Sequence, residues 1–262
     1  MKIIIEAKEL SELIESVALK GRYFDGGESK NGMLSAHAYL VVSENRLQIW
    51  NADNTTICGL NHDLAEATHV SVENGSAVVD VKKTVKYLKG FTGVVTVEAN
   101  DFLYVSSESS NATLPLVVEH SHQPMIDMLI EFEKTVRDVN VTFPTFRRTT
   151  FETKLHVSSH ALSEATKGCD VINTARYKFD YNDNIFTMSS IKTDLDKYET
   201  TIQPMTRDGE PSTVEFTGFF HGFFKTVVNI YLKDDSPILF VSPTRILLKA
   251  PYMDRSEERR GG

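Results

Sequence analysis

The sequence predicts an α+β protein in which one unit of helices and antiparallel strands occurs twice. The first observation is a helix followed by two strands in residues 81–106, which returns in residues 219–242. Between these copies, Phe102-Leu103-Tyr104-Val105-Ser106 matches Ile238-Leu239-Phe240-Val241-Ser242 in residue type at every position. The second observation is that the residues before each copy follow one order of elements. At 262 residues, 41% of them hydrophobic, the chain is long enough for two domains.

The first half opens with a strand at residues 1–6 and a helix at residues 8–19. The apolar spacing places Leu10, Leu13, Ile14 and Val17 on the buried face of this helix, with Glu9, Ser11, Glu12, Glu15 and Ser16 outside. Gly21 is expected to end it. Strands are then predicted at residues 33–42, 46–50, 55–60 and within 68–79, with a turn at Ser43-Glu44-Asn45.

A second amphipathic helix is predicted at residues 81–89. Val81, Val85 and Leu88 lie on one face, and Lys82, Lys86 and Lys89 on another. Strands 94–98 and 102–106 follow, joined by a turn at Asn100-Asp101.

The second half repeats this order from residue 151. Strand 152–157 leads into Ser158-Ser159, which caps a predicted helix at residues 160–167 that Gly168 ends. The later predicted elements are strands 174–181, 185–190, 198–203 and 213–216, a helix at 219–226, and strands 227–232 and 238–242. The Phe219-Phe220 and Phe223-Phe224 pairs have spacing typical of core packing rather than of base stacking.

Residues 118–150 belong to neither copy. They contain a predicted helix at residues 125–137 whose Met125, Ile126, Met128, Leu129, Ile130 and Phe132 are too apolar for a free linker, so we expect it to lie in a surface groove. The predicted organisation is a first domain at 1–117, an interdomain connector at 118–150, a second domain at 151–253 and a disordered tail at 254–262.

Composition and motifs exclude several functional classes. The net charge of −8 argues against a protein that coats nucleic acid with a uniformly basic surface. Cys58 and Cys169 lack metal or redox spacing and indicate buried thiols in a reducing compartment. No run is long and apolar enough for a membrane span, and the N-terminus does not have the pattern of a signal peptide.

No motif for catalysis, phosphate binding or metal binding is present, so we expect no enzyme activity and no cofactor. His62-Asp63 and His120-Ser121-His122 come nearest to such a motif, and each lacks a partner at useful spacing.

The order of elements, with a long connector and a closing Ala250-Pro251, resembles the DNA sliding clamps. The closest form is the two-domain clamp of archaea, eukaryotes and their viruses, the proliferating cell nuclear antigen family. Residues 86–89 and 114–116 carry the match in the first half, and residues 235–238 and 248–251 carry it in the second.

The resemblance implies two similar clamp domains, each with antiparallel sheets outside and two helices inside. Three chains would close into a homotrimeric ring around double-stranded DNA, bound without sequence preference. The implied function is that of a DNA polymerase processivity factor in replication and repair, without catalysis of its own. The implied partners are a clamp loader, DNA polymerase and other clamp-binding peptides. The protein would act inside the cell with the DNA: in the cytoplasm or nucleoid if archaeal or viral, in the nucleus if eukaryotic.

Seven lysines are candidates for the DNA-facing side of the helices. Scattered lysines suit a clamp, because a sliding protein contacts phosphates loosely and reads no bases. The candidates are Lys20, Lys82, Lys83, Lys86, Lys89, Lys167 and Lys225. Glu9, Glu12 and Glu15 depart from the basic lining that the resemblance implies, as do His160 and His221. This departure is consistent with an acidic side that faces away from DNA or with an unusual mode of loading.

The resemblance also implies a pocket for partner peptides between the two halves, covered by the connector. The positions that match it are Trp50, Ile57, Val117, Val118, Pro237, Ala250 and Pro251. Trp50 is equally consistent with a core position. We hypothesise that the apolar cluster of the connector blocks or narrows this groove.

Two alternative assemblies of the same fold stay open: a checkpoint-type subunit of a hetero-ring, and a monomeric viral processivity factor. A binding module unrelated to DNA is the remaining class. Residues 106–116 and 195–202 are predicted edge strands that would pair across chains in a ring.

Overall fold

The computed structural model describes residues 1–18, 36–52, 57–64, 73–117, 122–137, 141–172, 176–217 and 237–249. It divides into two compact units, Met1–Glu133 and Lys134–Gly262. Within the described residues, no helix is both long and apolar enough to cross a membrane. Predictions that fall on the other residues lie outside the described part of the chain: the helix at 219–226, strand 227–232, Gly21 as a helix end and the tail at 254–262.

In its described residues, the first unit contains eight strands and two helices before the connector. In order they are β1 (Lys2–Glu6), α1 (Ala7–Val17), β2 (His37–Ser43), β3 (Arg46–Ala52), β4 (Ile57–Asp63), β5 (Gly75–Asp80), α2 (Val81–Leu88), β6 (Val94–Ala99), β7 (Phe102–Ser106) and β8 (Asn111–Pro115). They form two four-stranded antiparallel sheets, ordered β1-β6-β7-β8 and β4-β3-β2-β5.

The two helices of this unit bury the apolar faces that their spacing predicts. Val81, Val85 and Leu88 of α2 are buried in the core, as are Leu10, Ile14 and Val17 of α1, while Leu13 is partly buried. The Asp80 side chain caps α2 by accepting a 2.8 Å hydrogen bond from the Lys83 backbone N–H. The prediction that Ser11 and Ser16 face solvent was wrong: both are buried, and their hydroxyls donate to the carbonyls of Lys8 and Leu13.

The connector contains the predicted helix and a short hairpin. Helix α3 (Gln123–Arg137) confirms the helix expected at residues 125–137. Strands β9 (Thr145–Phe146) and β10 (Thr149–Thr150) follow and pair with each other. The hairpin turns at Arg147 and Arg148, with φ of 46° and 63°. Phe146 is buried, and Arg245 donates a 3.1 Å hydrogen bond to its carbonyl.

The second unit continues with eight strands and one helix in the described residues. In order they are β11 (Thr153–His156), α4 (Ser159–Ile172), β12 (Arg176–Asn182), β13 (Ile185–Ile191), β14 (Lys197–Ile202), β15 (Thr206–Gly209), β16 (Ser212–Thr217), β17 (Ile238–Ser242) and β18 (Arg245–Lys249). They form sheets ordered β14-β13-β12-β16 and β15-β11-β17-β18. Tyr177, Phe179 and Phe186 are the largest fully buried side chains of its core.

The sheets confirm the internal repeat and correct its alignment. The order β14-β13-β12-β16 reproduces β4-β3-β2-β5 strand for strand. Each hairpin at the centre turns on two residues with positive φ, Glu44 and Asn45 in the first unit and Asp183 and Asn184 in the second. However, β17 pairs with β11 as β6 pairs with β1, so Ile238–Ser242 occupies the place of β6 and not that of Phe102–Ser106.

Helix α4 does not end at Gly168 as predicted but continues to Ile172. The glycine is required there for a different reason. A Cβ at this position would lie 2.1 Å from Cζ of Tyr198, so Gly168 allows the ring of Tyr198 to approach the helix closely. Strand β15 was not predicted; it pairs with β11 through Thr206–Gly209, a short polar segment without apolar alternation.

Both cysteines are free thiols in the structure. Burial raises the pKa of Cys58 and of Cys169 to about 12, and nearby Asp170 contributes to the rise at Cys169. Both thiols therefore stay protonated at neutral pH and are poor nucleophiles.

Candidate nucleic-acid and partner-binding surfaces

Helix α2 carries a row of exposed lysines that begins two residues after its capping Asp80. Lys82, Lys83, Lys86 and Lys89 are all exposed, opposite the buried face of Val81, Val85 and Leu88. Lys83 Nζ lies 3.9 Å from Asp80 Oδ2. Among the described residues, Lys82 and Lys86 have no ion-pair partner. These two cations are therefore available for an anion from outside the chain.

Lys89 is held by the neighbouring helix. Its Nζ lies 2.7 Å from Oε1 of Glu15, which is half-buried near the end of α1. Two further acidic residues of α1 also have basic neighbours: Glu9 Oε1 lies 3.5 Å from His62 Nε2, and Glu12 Oε1 lies 3.9 Å from Lys8 Nζ. At Glu15 the acidic side of α1 thus meets the end of the lysine row on α2, so it does not face away from it.

In the second unit, α4 exposes His160, Glu164 and Lys167 at helical spacing. Lys167 Nζ donates a 2.7 Å hydrogen bond to Glu164 Oε1, and this bond lowers the pKa of the Glu164 carboxyl. The pair is exposed, so its contribution to stability is small. The other two candidate lysines, Lys20 and Lys225, lie outside the described residues.

Trp50, a candidate of the peptide pocket, is buried on β3 with 7% of its surface exposed. Its ring meets Phe132 of α3 edge to face, with centroids 6.2 Å apart. On the neighbouring strand the indole lies over Gly59, where a Cβ would come within 2.1 Å of Trp50 Cε3. Glycine at this position therefore makes room for the tryptophan.

The other pocket candidates are placed only in part. Ile57 begins β4 and is half-buried; Val117 is half-buried and donates a 3.0 Å hydrogen bond from its backbone N–H to the Val78 carbonyl. Pro237, in the second unit, is buried, and its carbonyl accepts from the Val157 N–H at 3.1 Å. Val118, Ala250 and Pro251 lie outside the described residues.

Among the described strands, both predicted edge strands lie at sheet edges. β8 ends the sheet β1-β6-β7-β8, and β14 ends the sheet β14-β13-β12-β16. An edge strand presents unpaired backbone donors and acceptors to another chain. Around them, Phe102, Tyr104, Ile191 and Leu195 are exposed large apolar residues.

Sequence reasoning named Phe132 in the apolar cluster of the connector but missed Gln48 and His37, which also connect α3 to the sheet. Gln48 Nε2 donates to Glu133 Oε1 at 3.1 Å, and the rings of His37 and His122 have centroids 5.0 Å apart. The alternation on β3 contained a signal: a lone tryptophan on the face opposite Leu47 and Ile49 is consistent with a second covering layer.

Comparisons with known proteins agree on the fold. No family model matches the sequence, and no curated protein matches it. Among solved structures, the DNA polymerase III beta chain of Streptococcus pneumoniae matches with a TM-score of 0.68 at 15% identity, covering 97% of this chain and 62% of that one. This chain therefore spans less than two thirds of that bacterial chain.

Two PCNA structures match over nearly their whole length. PCNA from Thermococcus kodakaraensis has a TM-score of 0.60 at 15% identity, covering 97% of this chain and 95% of that one. A. fulgidus PCNA, solved with the C-terminal region of FEN-1 bound, has a TM-score of 0.64 at 12% identity, covering 94% and 90%. The expected sliding-clamp fold is confirmed.

Proposed function

We propose that this chain is a subunit of a DNA sliding clamp, a processivity factor that encircles duplex DNA and tethers replication and repair enzymes. The observation that carries the proposal is the repeated unit of this fold, matched over 90% or more of two PCNA chains. We propose no catalytic step, because tethering requires only a closed path around DNA and a surface for partners.

The DNA contacts are assigned to exposed lysines on the helices. Lys82 and Lys86 are the strongest candidates, because no carboxylate of the described chain pairs with them. Lys83, Lys89 and Lys167 each have an acidic neighbour, so a phosphate would compete with that carboxylate. Lys20 and Lys225 complete the proposed set. Contacts of this kind attract the DNA backbone without fixing a position along it.

The ring is proposed to be a homotrimer closed by edge strands. β8 of one chain would pair with β14 of the next, which gives a heterologous interface that closes after three copies. Three chains carry a net charge of −24, three times −8, so the ring as a whole repels DNA and attraction must come from the lysines.

The proposed partners are a clamp loader, DNA polymerase and other proteins that present a short clamp-binding peptide. The FEN-1 segment on A. fulgidus PCNA is an example of such a peptide in a protein of this fold. The proposed peptide pocket contains Trp50, Ile57, Val117, Val118, Pro237, Ala250 and Pro251. We place the protein inside the cell with the DNA.

Threading onto linear duplex tests encirclement without a loader. The protein is incubated with a biotinylated linear duplex, and streptavidin is then added to block both ends. We expect protein on end-blocked DNA to resist a high-salt wash, while protein on open-ended DNA is lost, because a ring leaves only over an end. Equal loss from both would contradict encirclement, since a protein held by charge alone dissociates from either.

A further inference from the structure

Helix α3 covers the face of the sheet β4-β3-β2-β5 that is turned away from the core. Alternate residues of a strand point to opposite faces, and Leu47 and Ile49 belong to the core of the first unit. Gln48 and Trp50 therefore point the other way, yet only 6% and 7% of their surfaces are exposed. Tyr39, the residue of the neighbouring strand β2 that pairs with Trp50, is on the same face and is also buried. We call this the outer face.

The helix lies along this face and contacts it at both of its ends. His122, just before α3, meets His37, while Phe132 and Glu133 meet Trp50 and Gln48. Ten residues separate the first contact from the second, about 15 Å of helix at 1.5 Å per residue. Between them Ile126, Met128 and Leu129 are buried, whereas Ile130 on the opposite side is exposed.

We propose that α3 is a built-in competitor for partners, which occupies the outer face and must detach before a partner peptide can bind there. The inference rests on the proposed function, because it assigns Trp50 to the partner pocket. The outer face differs from an open pocket in one respect: this chain's own Phe132 already occupies the aromatic position next to Trp50.

The contacts of α3 describe the partner that would replace it. Such a partner is an amphipathic peptide with an aromatic side chain for the place of Phe132. Next to it stands a carboxylate or amide oxygen that accepts from Gln48. Because the competitor must leave first, the apparent association constant of the peptide is its intrinsic value multiplied by the fraction of molecules in which α3 is detached.

The histidine contact makes detachment depend on pH. The charged or titratable groups around His37 are His122 before α3, Asp80 at the end of β5 and Lys83 of α2. Burial lowers the pKa of His37 most, His122 and Lys83 lower it further, and Asp80 opposes them. The attached state therefore favours neutral His37, and attachment weakens as pH falls below about 6.5, where the freed imidazole takes up a proton.

Trp50 is the chain's only tryptophan, so its fluorescence reports on the outer face. We expect acrylamide quenching of the full chain to rise at least about twofold between pH 8 and pH 5.5. The far-UV circular dichroism should stay unchanged. His37→Gln should flatten this rise, because it removes the group that takes up the proton, and the matched exchange His160→Gln at an exposed position of α4 should not. Quenching that is constant with pH in the parent chain, or that rises equally in His37→Gln, would overturn the pH dependence.

A peptide of residues 122–137, labelled with fluorescein, tests the competition itself. Leu129→Ala with Phe132→Ala should weaken the resident helix, and this variant should bind at least about tenfold more peptide than the parent chain. Ile130→Ala, on the exposed side of α3, is the matched control and should behave as the parent. Folding of each variant is checked by thermal unfolding.

Equal peptide binding by all three proteins, or none by a folded double variant, would overturn the proposal. Neither result depends on DNA. The peptide experiment tests only the proposal that α3 competes with partners, whereas retention on end-blocked duplex tests the proposed clamp function. Failure of one proposal can therefore be distinguished from failure of the other.

Discussion

A proline in an exposed edge strand is expected to convert the ring to single chains. Successive N–H groups of an edge strand alternate between the neighbouring strand and the solvent. Of Thr200→Pro and Thr201→Pro in β14, one therefore removes a donor to β13 and the other a donor that points away from the sheet. Only the exchange that removes the outward-pointing donor leaves the unit intact, and it deprives the partner chain of a hydrogen bond that the interface requires.

The expected result is a fall in solution mass to about one third with an unchanged circular dichroism spectrum. The same pair of exchanges in β8, Ala112→Pro and Thr113→Pro, should give the same outcome, because both edges contribute to each interface. Light scattering coupled to size exclusion measures the mass. If the variant of each pair that remains folded keeps the parent mass, β8 and β14 do not form the interface.

The second large effect is expected from Lys82 and Lys86 of α2, for which the described part of the chain provides no ion-pair partner. Lys82→Gln with Lys86→Gln removes two charges per chain and six per ring of three. Each phosphate contact contributes about −0.9 to the slope of log K against log salt concentration, so the slope should become shallower by up to about 5. Affinity for a short duplex should then fall at least about tenfold at low salt.

The measurement is fluorescence anisotropy of a labelled duplex over a series of salt concentrations. The control is Lys178→Gln with Lys192→Gln, two lysines of the second unit that are paired with Asp180 and Asp196. It changes the net charge by the same amount, and we expect little change in the slope. Equal slopes for the parent and the α2 variant would show that α2 does not face DNA.

The elements that the sequence predicts best are those specified by local spacing. Helix α2 shows this: Val81, Val85 and Leu88 are three to four residues apart, and Asp80 is an ordinary cap, so no distant contact was needed to place it. The hairpin at Glu44-Asn45 is local in the same way, because two residues in the left-handed region close it.

The elements that the sequence misplaced depend on pairing between distant residues. Strands β7 and β17 have similar residue types, although β7 buries alternate residues and β17 buries four consecutive residues. Only pairing shows that β17 corresponds to β6. Gly168 is consistent locally with a helix end, whereas its actual role is contact with Tyr198, thirty residues away. The cover that α3 forms over Trp50 is likewise a tertiary contact.

For the candidate DNA-facing residues, the sequence predicted which lysines share a helix face but not which of them are paired with a carboxylate. Spacing placed Lys82, Lys86 and Lys89 together, and the structure keeps all three exposed. Pairing of Lys89 with Glu15, which is seventy-four residues earlier, could not be read from the spacing of α2. Within the described residues, the neighbouring helix thus neutralises one lysine of the row on α2 and leaves Lys82 and Lys86 unpaired.

The solution mass of the unmodified chain tests the ring most directly. One chain has a mass of 29.5 kDa, so three chains give about 88 kDa. The closed homotrimer predicts this mass by light scattering over a range of protein concentrations at moderate salt. A mass of about 30 kDa that persists at high protein concentration would contradict the ring and favour a single chain that holds DNA on one basic face.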